Sequence, residues 1–328
     1  MASISLYLIV ILHFGDPHIW RSGFIFCGCF TFFGILFYVI PREATVWVLD
    51  RLARFGYPGG LGALRFVEDD PNGVMRAIGT SIDPNVFGGL LIMVGVITLP
   101  QLASKKPLFP RRWVVVMALM DVIALFLTIS RGSLVGFVIG LAAIGVMRYR
   151  KLLLWGVLGG IALGVLFLFL PFAQSYIQHF VAGVTLQDRA TLMRLGEYKD
   201  ALTLIGRHPI FGVGFIGTPE IDLYIGVSSL YLLMAEEMGL VGVAAFLITM
   251  LLFVNILING LRHAHQDPRL EAIMLGILGA MTGLLAAGVL DHYLFNLTYP
   301  HMTALLWIVV GMGVSASQYA RHFMQKQR

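Results

Sequence analysis

From Met238 to Leu261 the chain reads MGLVGVAAFLITMLLFVNILINGL, without one charged residue. A membrane-crossing helix needs about 20 apolar residues in a row. This stretch exceeds that, so it decides the fold class. Similar charge-free runs occur at 22–41, 84–104, 152–173 and 272–290, and shorter or interrupted ones at 113–130, 132–147 and 300–320. The 328 residues are 58% hydrophobic and 12% charged, with a mean hydropathy of +0.84. A soluble core of this length would carry roughly twice the charge. The sequence predicts an all-α polytopic transmembrane helix bundle of about 8–10 spans, read as a single membrane domain over 1–328.

The first apolar run, Ser3 to Leu12, is short for a span. It lacks a basic leader and a small-residue cleavage site, so it is not read as a signal peptide. Cys27 and Cys29 point to different sides of a helix and do not pair with each other.

Basic residues cluster at Lys105, Lys106, Arg111 and Arg112, at Arg148, Arg150 and Lys151, at Arg262 and Arg269, and at the C-terminus. Short loops rich in Lys and Arg stay cytoplasmic, whereas long loops cross largely regardless of charge. Alternating spans then place loop 42–83, the Ser130–Ser133 turn, loop 174–230 and loop 291–299 on the extracytoplasmic side. The larger loop is expected to contain short helices. Glycines four apart, at 132, 136 and 140, at 156, 160 and 164, and at 279 and 283 with Ala287, mark faces where helix backbones approach closely.

Arg131, in Thr128-Ile129-Ser130-Arg131-Gly132-Ser133, is a permanent cation at a membrane boundary. An arginine cannot shed its proton, and its planar fork suits a phosphate or carboxylate. Loop 174–230 adds Arg189, Arg194 and Arg207. Its stretch 188–202 has helical spacing in Leu192, Leu195, Tyr198 and Leu202, with Asp188 placed to cap the start. Such a helix lies along or near the membrane surface. Then follows His208-Pro209-Ile210-Phe211-Gly212-Val213-Gly214, where Pro209 stops a helix and the glycines allow a tight turn. His208 is a candidate base, a structural histidine or a loop residue.

Ser228-Ser229-Leu230-Tyr231 leads back into the membrane through Glu236 and Glu237, one of which should face the protein interior or an aqueous cavity. Upstream, Arg76 precedes Gly79-Thr80-Ser81-Ile82-Asp83-Pro84-Asn85, and Pro84 after Asp83 is a helix start signal. Asp121 lies inside a span, and Asp291-His292 at the outer end of another is a candidate acid/base or orienting pair. No strong metal pattern, nucleotide-phosphate loop or nucleophile elbow is present. Asn296-Leu297-Thr298 has the form of a glycosylation sequon but reads as a turn beside the membrane.

In order, these segments resemble the bacterial O-antigen ligase and polymerase family of membrane glycosyltransferases. Gly79-Thr80 with Asp83-Pro84-Asn85 resembles its Gly-Thr…Pro-Asn entry to a span, and Ser130-Arg131-Gly132 its Ser-Arg-Gly turn. Arg189 with Met193 is similar to its Arg-x-x-x-Leu element. His208 to Gly214 resembles its His-Pro-Leu-x-Gly-x-Gly, and Tyr231-Leu232 through Glu237-Met238-Gly239 to Gly242 its Tyr-Leu…Glu-Leu-Gly-x-x-Gly. The family's usual His-Asn pair before Tyr-Leu is replaced here by Ser228-Ser229.

The resemblance implies an undecaprenyl-pyrophosphate-linked glycan donor at the extracytoplasmic face of the bacterial inner membrane. Arg131 and Arg189 would grip the pyrophosphate as a leaving group, a role that needs no metal. With His208 or His292 as base they form the candidate catalytic set. Arg76, Asn85, Arg194, Arg207, Tyr231 and Glu237 are the candidate substrate-binding residues. The acceptor would be a glycan, lipid or protein hydroxyl. Membrane lipids are expected partners, with no nucleic acid and no cofactor. Two other classes remain: a lipid-linked sugar transporter or flippase, and an inactive cell-envelope scaffold.

Overall fold

The computed structural model describes residues 17–55, 57–150, 189–215, 227–296 and 298–326, with isolated positions 154, 158 and 165. Run 3–12, most of run 152–173 with its three glycines, Asp188 and Leu297 of the sequon-like triplet lie outside the described residues. Among the described residues the elements are α1 (Pro17–Val39), α2 (Arg42–Leu49), β1 (Arg65–Phe66), β2 (Met75–Arg76), α3 (Pro84–Ala103), α4 (Arg111–Leu127), α5 (Arg131–Met147), α6 (Arg189–Arg207), α7 (Leu230–Ala264), α8 (Pro268–Ala287) and α9 (Pro300–Lys326). The architecture is all-α and polytopic. In the described residues, α3, α7, α8 and most of α9 are each long and apolar enough to cross a membrane.

The helix starts follow from local chemistry. Asp83 Oδ1 accepts from the backbone N–H of Asn85 at 2.7 Å and of Val86 at 3.2 Å, and Pro84 sits where no intrahelical donor is needed. Asp267 and Pro268 repeat that arrangement for α8. Ser130 caps α5 through the N–H of Ser133.

At the centre stands α8, buried along most of its length and packed mainly against α5 and α3, while α7 pairs with α9 and α1 with α4. The glycine ridges face each other. A Cβ at Gly136 or at Gly140 would stand 2.7 Å from the carbonyl oxygen of Gly283 or Gly279, so the two backbones touch directly. Outward faces are apolar instead: Leu251 and Ile248 on α7 and Leu119 and Trp113 on α4 are all exposed, as expected of surfaces solvated by lipid. Opposite the Arg131 end, Glu271 Oε1 accepts from Arg148 Nε at 3.0 Å and lies 2.6 Å from His265 Nδ1. That cluster ties together the ends of α5, α7 and α8.

Asp121 is buried where α4 packs on α1 and accepts a hydrogen bond from Thr31 at 2.7 Å. Helix α7 is broken at Gly239, whose φ of 68° a side-chain-bearing residue rarely adopts. The apolar run that opens the sequence argument starts at this break.

Candidate functional site

Segment 42–83 folds into α2, short 3-10 turns and a two-stranded hairpin in which Arg65 pairs with Arg76 and Phe66 with Met75. The hairpin closes one side of a cavity of about 190 Å³. Glu68, Asp69 and Arg76 come from this hairpin, Asn85 from the first turn of α3, and Arg131 from the first residue of α5. Met193 and Arg194 of α6 complete the wall.

Four of the sequence candidates, Arg76, Asn85, Arg131 and Arg194, therefore meet at one place. Arg76 Nε donates to the Thr128 carbonyl at 2.8 Å and its Nη2 to Asn85 Oδ1 at 2.9 Å. This fixes its fork against the α4–α5 turn. Burial pushes the Arg76 pKa down, the Asp83 and Asp291 charges oppose it, and the guanidinium groups of Arg194 and Arg131 add a smaller downward push. An arginine stays charged even so. Three guanidinium groups thus share the cavity wall with the carboxylates of Glu68 and Asp69.

Two helix N-termini, those of α3 and α5, open onto the same cavity. The helix dipole favours an anion at each, and at α3 the Asp83 carboxylate already takes that place, accepting from Asn85 and Val86. Each start is preceded by a β-branched residue in the left-handed region, Ile82 (φ 66°) before Asp83 and Ile129 (φ 53°) before Ser130. Such geometry costs on the order of 1–3 kcal/mol and persists only where the surroundings enforce it. Behind the cavity, a Cβ at Gly88 would collide with Ser133, and one at Gly89 with the Tyr293 ring. The adjacent glycines let both side chains press against α3.

The second candidate group lies one step along α6. Tyr198, four residues beyond Arg194 and so on the same helix face, donates to the Ser228 carbonyl at 3.1 Å. Glu197 Oε2 accepts from Ser228 N–H at 3.0 Å. Leu230 N–H is shared by the carbonyls of Gly288 (2.8 Å) and Asp291 (2.9 Å). Ser228-Ser229 thus sits directly beside Asp291-His292. The His292 ring Nδ1 is 3.7 Å from Asp291 Oδ1, which also accepts from the His292 backbone N–H at 2.8 Å. Burial raises the Asp291 pKa, with the Asp83 charge pushing the same way and His292 and Arg194 opposing. Burial likewise pushes Tyr299 up to about 12, so its phenol keeps its proton at neutral pH.

The remaining candidates are elsewhere. His208 is exposed just past the end of α6, and Arg207 is exposed in its last turn. Arg189 opens α6, its side chain lying outside the described residues. Tyr231 donates to the Leu285 carbonyl at 2.7 Å, tying α7 to α8. Glu237 accepts from Gly214 N–H through its backbone carbonyl at 3.0 Å, which is part of the docking at the α7 break. Glu68 and Asp69 were not singled out by the sequence. They sit in a non-periodic loop, and both adopt positive φ, near 58°, which no residue-type pattern announces.

No curated protein matches the chain. A family model described as O-antigen ligase matches residues 113–247. The matched stretch contains Arg131, Arg189, Arg194, His208, Tyr231 and Glu237, begins after Arg76 and Asn85, and ends before His292. Residues 113–247 are thus similar to an O-antigen ligase domain, which supports the resemblance to an O-antigen ligase/polymerase-like family.

Proposed function

We propose that the protein transfers a glycan from undecaprenyl pyrophosphate to an acceptor hydroxyl at the extracytoplasmic face of the bacterial inner membrane. The observation that carries this reading is the convergence of Arg76, Arg131 and Arg194 with two helix N-termini on one cavity. A pyrophosphate is an anion suited to paired guanidinium forks. Helix α5 runs from Arg131 at this cavity to Arg148 at the other end. Arg148 belongs to a short, basic loop of the kind retained in the cytoplasm, which supports an extracytoplasmic reading of the cavity.

In the reaction the acceptor oxygen bonds to the anomeric carbon as the bond from that carbon to the pyrophosphate oxygen breaks. The leaving pyrophosphate takes the electron pair, and Arg131, with Arg189 at the head of α6, stabilises its charge. The acceptor proton goes to His292, beside Asp291, and attack from the side opposite the leaving group inverts the anomeric centre. With Ser228-Ser229 in place of the His-Asn pair, the reading favours a polymerase, the acceptor being a second lipid-linked glycan.

The test is product formation in liposomes from a lipid-pyrophosphate glycan, comparing wild type with Arg131→Ala and Arg189→Ala. Both variants should remain folded and make no product. Wild-type yields from both would overturn the assignment.

A further inference from the structure

The turn after α6 is joined to the break in α7 by four backbone hydrogen bonds. Val213 N–H donates to the Glu236 carbonyl at 2.7 Å and Gly214 N–H to that of Glu237 at 3.0 Å. In return, Leu240 N–H donates to the Pro209 carbonyl at 2.8 Å and Val241 N–H to that of Ile210 at 3.4 Å. The fit is close. A Cβ at Gly212 would collide with the Glu236 carbonyl, and one at Gly239 with that of Ile210, and both glycines have φ near +68°. A helix broken in water needs no such arrangement, because water satisfies the freed groups. In hydrocarbon each unsatisfied group costs several kcal/mol, so irregular backbone survives there only when protein partners satisfy it.

The side chains of the turn point the same way. Phe211 is 76% exposed, and Ile210 and Phe215 are each more than half exposed. They adjoin Leu240 and Val241, also exposed, which begin the apolar outer face that continues along α7 through Ile248 and Leu251. The exposed apolar surface of the turn is therefore continuous with the lipid-facing surface of a membrane-crossing helix.

We propose that residues 209–215 form a membrane-inserted wedge, with Ile210, Phe211 and Phe215 embedded among the acyl chains of the leaflet nearest the cavity. The wedge pins the C-terminal end of α6 at a fixed depth, and with it Arg194 at the cavity wall. This holds whatever reaction the cavity carries out.

Spin labels in nanodiscs test it. In a chain carrying Cys27→Ser and Cys29→Ser, single labels are placed through Phe211→Cys, Leu251→Cys on the lipid face of α7, and Asn72→Cys at the exposed hairpin tip. Collision with dissolved oxygen, which partitions into lipid, is compared with collision with a water-soluble nickel chelate. The label at 211 should behave as at 251, accessible to oxygen and shielded from nickel. Nickel accessibility matching that at 72 would place the turn in water and overturn the proposal. Shielding from both reagents would mean that protein covers the turn, a second copy included, and would overturn it equally.

Discussion

The Arg76 guanidinium is held from two sides, by Asn85 Oδ1 at the start of α3 and by the Thr128 carbonyl at the end of α4. Its orientation towards the cavity thus depends on two helices meeting correctly. Asn85→Ala removes one holder while leaving every arginine in place. Hydrogen bonds to charged groups contribute about 1.5–3 kcal/mol. Affinity for a short-chain polyprenyl pyrophosphate, measured by titration calorimetry, should fall about 10- to 100-fold. Arg76→Lys should do the same, because a single ammonium cannot serve Asn85, the carbonyl and a ligand with the fork's geometry. Unchanged affinity in both would remove Arg76 from the binding set.

The two candidate bases occupy different surroundings, so they can be separated. His292→Gln should lower kcat by about 10²–10⁴-fold, the range for loss of a general base, with the donor KM little changed. His208→Ala, at an exposed position past α6, should retain near-wild-type kcat. The opposite pattern in a steady-state assay would transfer the role to His208.

Burial holds the Asp291 carboxyl above the usual carboxylate range. The folded protein then keeps a proton that the unfolded chain has already released. Stability is accordingly lost as pH rises from about 4, the unfolded value, through the raised folded one. Asp291→Asn removes the penalty for burying the charge. Its Tm in detergent should exceed that of wild type at pH 7, and the gap should close below about pH 4. A gap of the same size at both pH values would show that the charge at Asp291 is not what costs stability.

Glycines with different surroundings should respond oppositely. Gly140→Val pushes a side chain against the Gly279 carbonyl and should destabilise by about 1–3 kcal/mol. Gly206, in the last turn of α6, has open space where a Cβ would go, and Gly206→Ala should be neutral or add up to about 1 kcal/mol. Thermal denaturation in one detergent compares the two.

Much of the fold could be read from the chain because its causes are local. Asp83-Pro84 and Ser130 announce helix starts by side-chain capping, and the ridges at Gly136–Gly140 and Gly279–Gly283 announce faces that do pack together. Arg76, Asn85, Arg131 and Arg194 stand in one candidate set with Arg189, Arg207, Tyr231 and Glu237, but nothing in the sequence says which of these share a cavity. That depends on where the hairpin and α6 come to rest, which long-range packing decides. His208 and Glu237 drew notice as ionisable residues in conspicuous motifs. The structure gives the backbone at those motifs a docking role, carried by glycine conformation and carbonyl positions rather than by ionisable side chains. Glu68 and Asp69 were illegible because a left-handed backbone at two acidic residues leaves no periodic trace.

Helix α5 carries Arg131 as its first residue and Arg148 just past its last. At 1.5 Å per residue these cations stand roughly 26 Å apart, close to the about 30 Å of a bilayer's hydrocarbon layer. If each marks one boundary, as the proposed orientation has it, the helix works as a ruler. Sliding it either way would drag an arginine into hydrocarbon, at a cost of a few kcal/mol or more. That placement disfavours a piston stroke of α5. On the proposed function, Arg131 would then be the fixed side of the cavity, facing the 65–76 hairpin and α6.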